Sequence, residues 1–401
     1  MSKKRDIVIA SAVRTPFAKF GGDYKNIKAV DLGGMVIEEA LRRANITGED
    51  VDETIMGQVV PTGSGQVPGR QAAVKGGIPY RVPSLSINKV CGSSMKAVML
   101  GAQAIKAGDA DVVVCGGMEN MSNVPYISRQ TRWGARMNNI VFEDGMVFDA
   151  LWCPDNDAHM AVINGWGAKE AGVTREDQDK WAFRSQQRWA ASEAAGKFSD
   201  ERMPVEVKSK KGSYVVEKDA HPRPDTTLDE LQKMKPIFVA DGTVTAGNAP
   251  GINDGASAVI VMSRERAEKL GAPILATIRD YAQVSDLSYQ AARAIGSSIR
   301  VIMDRNNLTT DFFDLWEINE AFALTPLVCC AKTLGMDMKV IEERVNVNGG
   351  AVAVGHPVAA TGARLLMTLM YELRRCGKKN GVTGICSGMG QGDAIWISID
   401  D

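Results

Sequence analysis

Asn88-Lys89-Val90-Cys91-Gly92-Ser93-Ser94-Met95-Lys96 places a cysteine where a strand turns into a helix. Ahead of it, Ser84-Leu85-Ser86-Ile87 reads as a strand. Behind it, apolar residues at Met95, Val98, Met99, Ala102 and Ile105 recur on one helix face, and Gly108 fits a C-terminal stop. A thiol at a helix N-terminus faces the positive end of the macrodipole, which favours the thiolate, the nucleophilic form. The turn alone leaves a buried structural cysteine open, because free cysteine is among the most buried residue types.

Working outward, the pattern is α/β. Strand-like runs at 7–10, 55–60 and 111–115 alternate with helical patterns at 30–44 and 94–107. Near-continuous apolar strands predict a sheet buried on both faces. The pattern resumes from about 273. A strand-like run at 313–318 leads into Asn319-Glu320-Ala321-Phe322-Ala323. A run at 345–353 leads to the turn Gly355-His356-Pro357, then to a helix with apolar residues at Ala363, Leu366, Met370 and Leu373 that ends at Gly377. The two halves echo one another. In the first, a strand leads to Cys91 at a helix start, and the next strand ends in Cys115-Gly116-Gly117-Met118. In the second, a strand leads to His356 before a helix, and the next ends in Cys386-Ser387-Gly388-Met389. Two such βαβ halves put Cys91 and His356 at matching helix starts. Residues 119–248 differ: they hold Trp133, Trp152, Trp166, Trp181 and Trp189, and one clear helix that starts at Thr174, with Asp177 as capping-box partner, and ends near Gly196. This stretch reads as an inserted lid or binding subdomain, with a plain structural insertion as the alternative.

Composition narrows the function classes. Among 401 residues the net charge is −1, which leaves no footprint for nucleic acid or an anionic membrane. No apolar stretch reaches membrane-spanning length, and Lys3-Lys4-Arg5 is followed by a strand-like run, not a signal-peptide core. Seven scattered cysteines argue against a disulfide framework and for a reducing, cytoplasmic setting. No CxxC or HxxxH occurs, so no structural metal is expected. The histidines are His159, His221 and His356.

The site candidates are the Cys91 turn, Asn319-Glu320-Ala321-Phe322-Ala323, the 349–357 segment and Cys386-Ser387-Gly388-Met389-Gly390-Gln391-Gly392. A thiolate beside a histidine takes an acyl group as a thioester, with His356 accepting the thiol proton. Cys386 would be a separate acid–base group. Glycines after each cysteine let backbone N–H groups approach a developing oxyanion, a donor worth roughly 3 kcal/mol in the transition state. Taken singly, His356 is also readable as a core histidine, Asn319 as a helix cap, and Gly388, Gly390 and Gly392 as a tight turn.

Together these segments resemble the thiolase family, in particular its acetyl-CoA acetyltransferase (acetoacetyl-CoA thiolase) branch. The likeness runs nearly the whole chain and includes Arg14-Thr15-Pro16-Phe17, Gly57-Gln58-Val59-Val60, Gly116-Gly117-Met118-Glu119, Thr245-Ala246-Gly247-Asn248 and Asn253-Asp254-Gly255-Ala256. The resemblance implies a thiolase fold: two similar βαβαβαββ halves in a five-layer αβαβα core, plus an inserted loop domain. It implies an N-terminal half at 1–118 and 249–272 with the nucleophile, a loop domain at 119–248 for CoA and oligomer contacts, and a C-terminal half at 273–401. It implies a reversible Claisen condensation of two acetyl-CoA, and the reverse thiolysis. Cys91 would be acylated with His356 as its base, and Cys386 would move the α-proton of the second acetyl-CoA. Asn319, holding a water, and His356 would form one oxyanion hole; the N–H groups of Cys91 and Gly388 would form the other. His159 and Met160 would bound the acyl pocket, Arg223 would lie near the CoA adenine and phosphates, and Phe238, Ala246, Ala321 and Phe322 would line the pantetheine tunnel. No permanently bound cofactor is implied; coenzyme A and acetyl-CoA enter as substrates. The expected partners are acyl-CoA molecules and copies of the same chain (dimer or tetramer), with no nucleic acid and no membrane.

The chain departs from the family pattern at three places. Pro250 stands where the family has a serine. Ala359-Ala360-Thr361-Gly362 replaces Gly-Ala-Ser-Gly, and the added methyl groups are expected to narrow the site. The Met-Gly-x-Gly-Pro loop expected near 290–297 is replaced by Gln290-Ala291-Ala292-Arg293-Ala294-Ile295-Gly296-Ser297. That loop borders the acyl pocket, so a 3-ketoacyl-CoA thiolase for longer or branched chains stays open. A non-catalytic thiolase-like lipid-binding protein is the rival of a different class; the presence of Cys91, His356 and Cys386 argues against it.

Overall fold

The computed structural model describes residues 5–210 and 212–400. The major strands are β1 (Ile7–Arg14), β2 (Glu53–Gly57), β3 (Ser84–Ile87), β4 (Val112–Asn120), β5 (Asn253–Ser263), β6 (Ala276–Ser285), β7 (Leu315–Ile318), β8 (Asn380–Ser387) and β9 (Gln391–Ser398). They form one sheet in the order β7-β8-β9-β6-β1-β5-β4-β2-β3. Its centre is the seam between β1 and β6, joined antiparallel through Val8–Thr277 and Ile9–Ala276. On either side the order repeats: β1-β5-β4-β2-β3 matches β6-β9-β8-β7. β2 pairs in parallel with β3 and β4, and β7 in parallel with β8. A fifth strand in the second half is reduced to one parallel bridge between Trp316 and Val345.

Helices complete five layers. α1 (Ala29–Arg43) and α2 (Pro68–Lys75) cover one outer face. α3 (Ser93–Ala107) and α8 (Val358–Arg375) pack together between the half-sheets. α6 (Ala291–Asn306) and a π-helical segment, Leu327–Thr333, cover the other outer face. The core follows this layering. Val36 and Ile37 of α1 pack on one side of the first half-sheet, Met95 and Val98 of α3 meet Leu366 and Met370 of α8 in the middle, and Ile295 and Ile299 of α6 pack on the second half-sheet. The α3 face predicted from the sequence is buried throughout, and Gly108 ends the helix at φ 89°.

Between β4 and β5 the chain leaves the sheet. This stretch carries α4 (Met160–Glu170), α5 (Arg175–Ala194) and a hairpin, Val205–Ser209 with Gly212–Val216. The Thr174–Asp177 capping box forms as read: the Asp177 N–H donates to the Thr174 hydroxyl, and the Thr174 N–H to the Asp177 carboxylate. One expectation fails. Residues 345–353 do not form a strand. Gly349 takes φ 79°, and Ala351–Val354 form a four-residue helix, α7. A short apolar run buried on all sides carries no period that separates strand from helix.

A buried ion cluster ties the inserted stretch to both halves. Arg14 at the end of β1 reaches Glu201 at 2.7 Å and Asp219 at 2.6 Å, and all three side chains are buried. Glu201 also accepts from Thr368 of α8 at 2.8 Å. Removing one member strands uncompensated charge in a dry site. Arg14→Met is therefore expected to destabilise the fold by about 3–5 kcal/mol, read as a lower midpoint in urea unfolding.

Candidate active site

The Cys91 turn is pinned from three directions. The Gly92 N–H donates to the Ser387 hydroxyl at 3.0 Å, which ties this turn to the Cys386 turn. The Lys89 N–H donates to the Ser93 hydroxyl at 2.9 Å, and the Lys89 ammonium pairs with buried Asp393 at 2.5 Å. A side chain at 92 would collide, since a Cβ there would lie 2.3 Å from the Ser387 oxygen. Val90 is held at φ 46°, which for a β-branched residue costs of order 1–3 kcal/mol and persists only where the surroundings over-determine it. These contacts fix the direction of the Cys91 side chain.

Cys91, His356, Cys386 and Gly388 line one cavity of about 330 Å³. Its wall is largely apolar; Met121, Ala150 and Val358 belong to the hydrophobic cluster against which Cys91 packs. Burial therefore dominates the electrostatics. The Cys91 thiol is pushed well above its ordinary range, first by desolvation and then by the neighbouring Cys386. Cys386 is pushed up to about 12 by burial. His356 is pushed down to about 3, by burial and then by the Arg364 charge. Desolvation thus opposes the helix-terminus preference for the thiolate, and burial holds both thiols and the imidazole toward their neutral forms.

The tautomer of His356 is set by one hydroxyl. Thr361 donates its hydroxyl proton to the Pro357 carbonyl at 2.9 Å, so its oxygen accepts from His356 Nδ1 at 2.7 Å. That leaves the Nε2 lone pair unpartnered inside the site. Ala359, Ala360 and Thr361 are not on the cavity wall, so their methyl groups do not narrow it. Thr361→Val removes the bond to Pro357 and with it the acceptor of His356 Nδ1. Losing that Nδ1 bond, about 1–1.5 kcal/mol, is expected to lower kcat roughly tenfold, with Thr361→Ser near wild type; steady-state turnover rates check it.

Asn319 lies behind this wall. It is fully buried at the end of β7, and neither amide atom completes a hydrogen bond, although the side chain approaches Cys386 closely enough to favour its thiolate. The remaining candidates lie on the cavity itself. Met160 and the stacked pair His159–Phe238 (ring centroids 3.8 Å apart) line it. Ala246, Ala321 and Phe322 also line it, and so does Arg223, which is exposed to solvent. A second cavity of about 380 Å³ shares His221, Arg223, Ala246 and Ala249 with the first and adds polar groups such as Gln186 and Glu230. An apolar passage with a polar outer chamber suits a long ligand with an apolar arm and a charged end. Of the altered 290–297 segment, Ala291 alone borders the cavity; Arg293 turns away to Asp286. The sequence reading missed Thr361 as the group that sets the histidine and Ser387 as the link between the two cysteine turns. Neither carries a local signal.

A doubled five-layer α/β core with two thiols and a neutral histidine around an apolar passage defines an acyl-transferring class of enzyme. The thiolase N-terminal domain model matches residues 7–265, and the thiolase C-terminal domain model matches 272–399. The chain belongs to the thiolase family. It is 47% identical to an acetyl-CoA acetyltransferase of Cupriavidus necator, over 98% of this chain and 99% of that protein. It is 45% identical to an acetyl-CoA acetyltransferase of Pseudomonas aeruginosa, over 99% of this chain and all of that one. Among solved structures, human mitochondrial 3-ketoacyl-CoA thiolase superposes with a TM-score of 0.94 at 39% identity, covering 99% of both chains. No helix among the described residues is long and apolar enough to cross a membrane.

Proposed function

We propose that this chain is an acetyl-CoA C-acetyltransferase that joins two acetyl-CoA into acetoacetyl-CoA and CoA, and runs the reverse thiolysis. The observation that carries this reading is the meeting of Cys91, His356 and Cys386 on one desolvated cavity wall. Several full-length relatives that bear that name support it. Carbon–carbon chemistry between two thioesters needs a nucleophile, an α-proton carrier and two oxyanion sites. In thiolysis, Cys91 gives its proton to His356 Nε2 and attacks the 3-keto carbon. The C2–C3 bond breaks, and the departing enolate of acetyl-CoA takes the Cys386 proton. CoA thiol then attacks acetyl-Cys91; its proton restores Cys386, and His356 returns its own to Cys91. The N–H groups of Cys91 and Gly388 serve the oxyanion on the acyl carbon, and His356, together with a water held by Asn319, serves the enolate.

Residues 119–248 act in this reading as the CoA-holding domain, with Arg223 at the charged end of the substrate. A homo-oligomer is part of the same proposal. An arm within the inserted stretch exposes Trp133 (89%), Met137 (87%) and Phe142 (62%), more apolar surface in one place than an isolated chain usually leaves bare. Light scattering should give a multiple of the 43.1 kDa chain mass. Seven free cysteines fit a reducing cytoplasm.

A second reading, a thiolase for longer or branched 3-ketoacyl-CoA, is favoured by small Ala291 on the cavity wall. CoA-dependent cleavage of acetoacetyl-CoA, beside a six-carbon and a 2-methyl-branched 3-ketoacyl-CoA, decides. A higher kcat/KM for the four-carbon substrate is expected; the reverse order would transfer the assignment to the second reading.

A further inference from the structure

Glu320 follows Asn319 in sequence, is fully buried, and is not itself among the residues that line the cavity. Its carboxylate nevertheless collects donors from three parts of the chain. Oε1 accepts from Trp181 Nε1 at 2.9 Å and Asn346 Nδ2 at 3.0 Å. Oε2 accepts from the Ser185 hydroxyl at 2.7 Å and the Val352 N–H at 3.1 Å. All four partners are donors, so the group they surround is an acceptor on both oxygens.

The partners lead to the site from two sides. Asn346 is clamped to the end of β7, accepting from Ile318 N–H and donating to Ile318 C=O, both at 2.8 Å, directly before Asn319. Val352 lies in α7, the turn of helix that delivers Gly355 and His356. Ser185 extends the hold by accepting from the Gly350 N–H at 3.0 Å. The fit is close: a Cβ on Gly350 would lie 2.5 Å from the Glu320 carboxyl carbon. Trp181 and Ser185 belong to α5, and the next residue, Gln186, donates to the Val352 carbonyl at 3.2 Å.

We propose that Glu320 is a positioning residue that holds the Asn319 strand end and the His356 turn in register against α5; this rests on the roles given above to Asn319 and His356. Glu320→Gln presents an NH₂ to two of the four donors and breaks the register while conserving volume. The expected result is a kcat for acetoacetyl-CoA thiolysis lower by about 10²-fold, with KM for CoA within about twofold, because misplacing a catalytic group by about an ångström costs that much. A second readout is the pH profile of Cys91 alkylation by iodoacetamide. In the variant it moves to higher pH, because the thiol loses its aligned acceptor. Ser185→Ala keeps the carboxylate but removes both its bond from Ser185 and the Gly350 link, so it tests the same hold if Glu320→Gln folds poorly. A loss in kcat of about tenfold or more is expected, since each such bond is worth about 1 kcal/mol. Wild-type kcat in both variants, or a loss that follows only the folded fraction by circular dichroism with an unchanged alkylation profile, overturns the proposal. Full turnover by His356→Ala would instead overturn the reading on which it rests.

Discussion

Cys91→Ala is expected to abolish turnover while leaving the fold intact. Cys91 is half-buried at the start of α3, where alanine is compatible with the backbone and removes a single sulfur. The structural loss is that of one small side chain, whereas the chemical loss is total: without the sulfur there is no acyl intermediate, and the reaction would have to proceed by direct attack of CoA on the ketone. Removing a covalent nucleophile from a site whose other parts remain costs on the order of 10⁴–10⁶ in kcat. Two measurements separate the causes. Thiolysis of acetoacetyl-CoA falls to background, while the thermal midpoint stays within a few degrees of wild type. Intact-mass spectrometry after incubation with acetyl-CoA then shows an added acetyl group on the wild type and none on the variant. An acetyl adduct that persists in Cys91→Ala would move the nucleophile to another thiol, and Cys386 would be the first to test.

The neutral resting state of the thiol bears on how that experiment is run. Burial holds Cys91 as a thiol and His356 as an uncharged base. Alkylation by a neutral reagent at pH 7 is then slow relative to acylation by substrate, because only a bound thioester coincides with proton transfer to Nε2. The apolar surroundings of Cys91 work in the same direction by keeping water from competing for the acyl group.

Much of this arrangement was legible in the sequence, for a physical reason. Cys91 and His356 each stand just ahead of a central helix, and such turns are written locally, as a glycine and a helical face. The duplication was legible because both halves carry that glycine and helix, although only Cys91 follows a strand of the sheet. What stayed hidden was set by contacts between distant segments. Glu320 meets Trp181 and Ser185 across more than a hundred residues of chain, and Ser387 meets Gly92 across nearly three hundred. The environment of the Cys91 thiol was hidden in the same way. A helix N-terminus is visible in a sequence, but the desolvation that opposes its preference for the thiolate comes from Met121, Ala150 and Val358, which arrive from the inserted stretch and from the other half. The 345–353 run misled because its apolar residues pack on all sides.

Cys386→Ala is expected to split the reaction into a half that survives and a half that does not. Transfer of acetyl from acetyl-CoA to pantetheine moves no α-proton; in the variant His356 can carry both thiol protons in place of Cys386, so exchange should fall by far less than thiolysis. Forming or cleaving the carbon–carbon bond requires a proton to leave or reach the α-carbon, and a positioned acid–base group is worth about 10²–10⁴ in rate. Condensation and thiolysis should fall by that factor together, since both pass through the same enolate. The protonation state fixes the sign. Cys386 is held up to about 12, so from pH 6 to 9 it carries the proton that thiolysis needs, and the thiolysis rate should stay flat with respect to this group across that window. In condensation the same thiol must first lose its proton, which the neighbouring Asn319 amide favours and burial opposes. Cys386→Ser keeps a proton on a group less acidic than a thiol and should sit close to the alanine variant in condensation. Acetyl exchange lost in step with thiolysis in Cys386→Ala would assign Cys386 to the acylation step. Exchange preserved with thiolysis lost would leave it as the carrier of the α-proton.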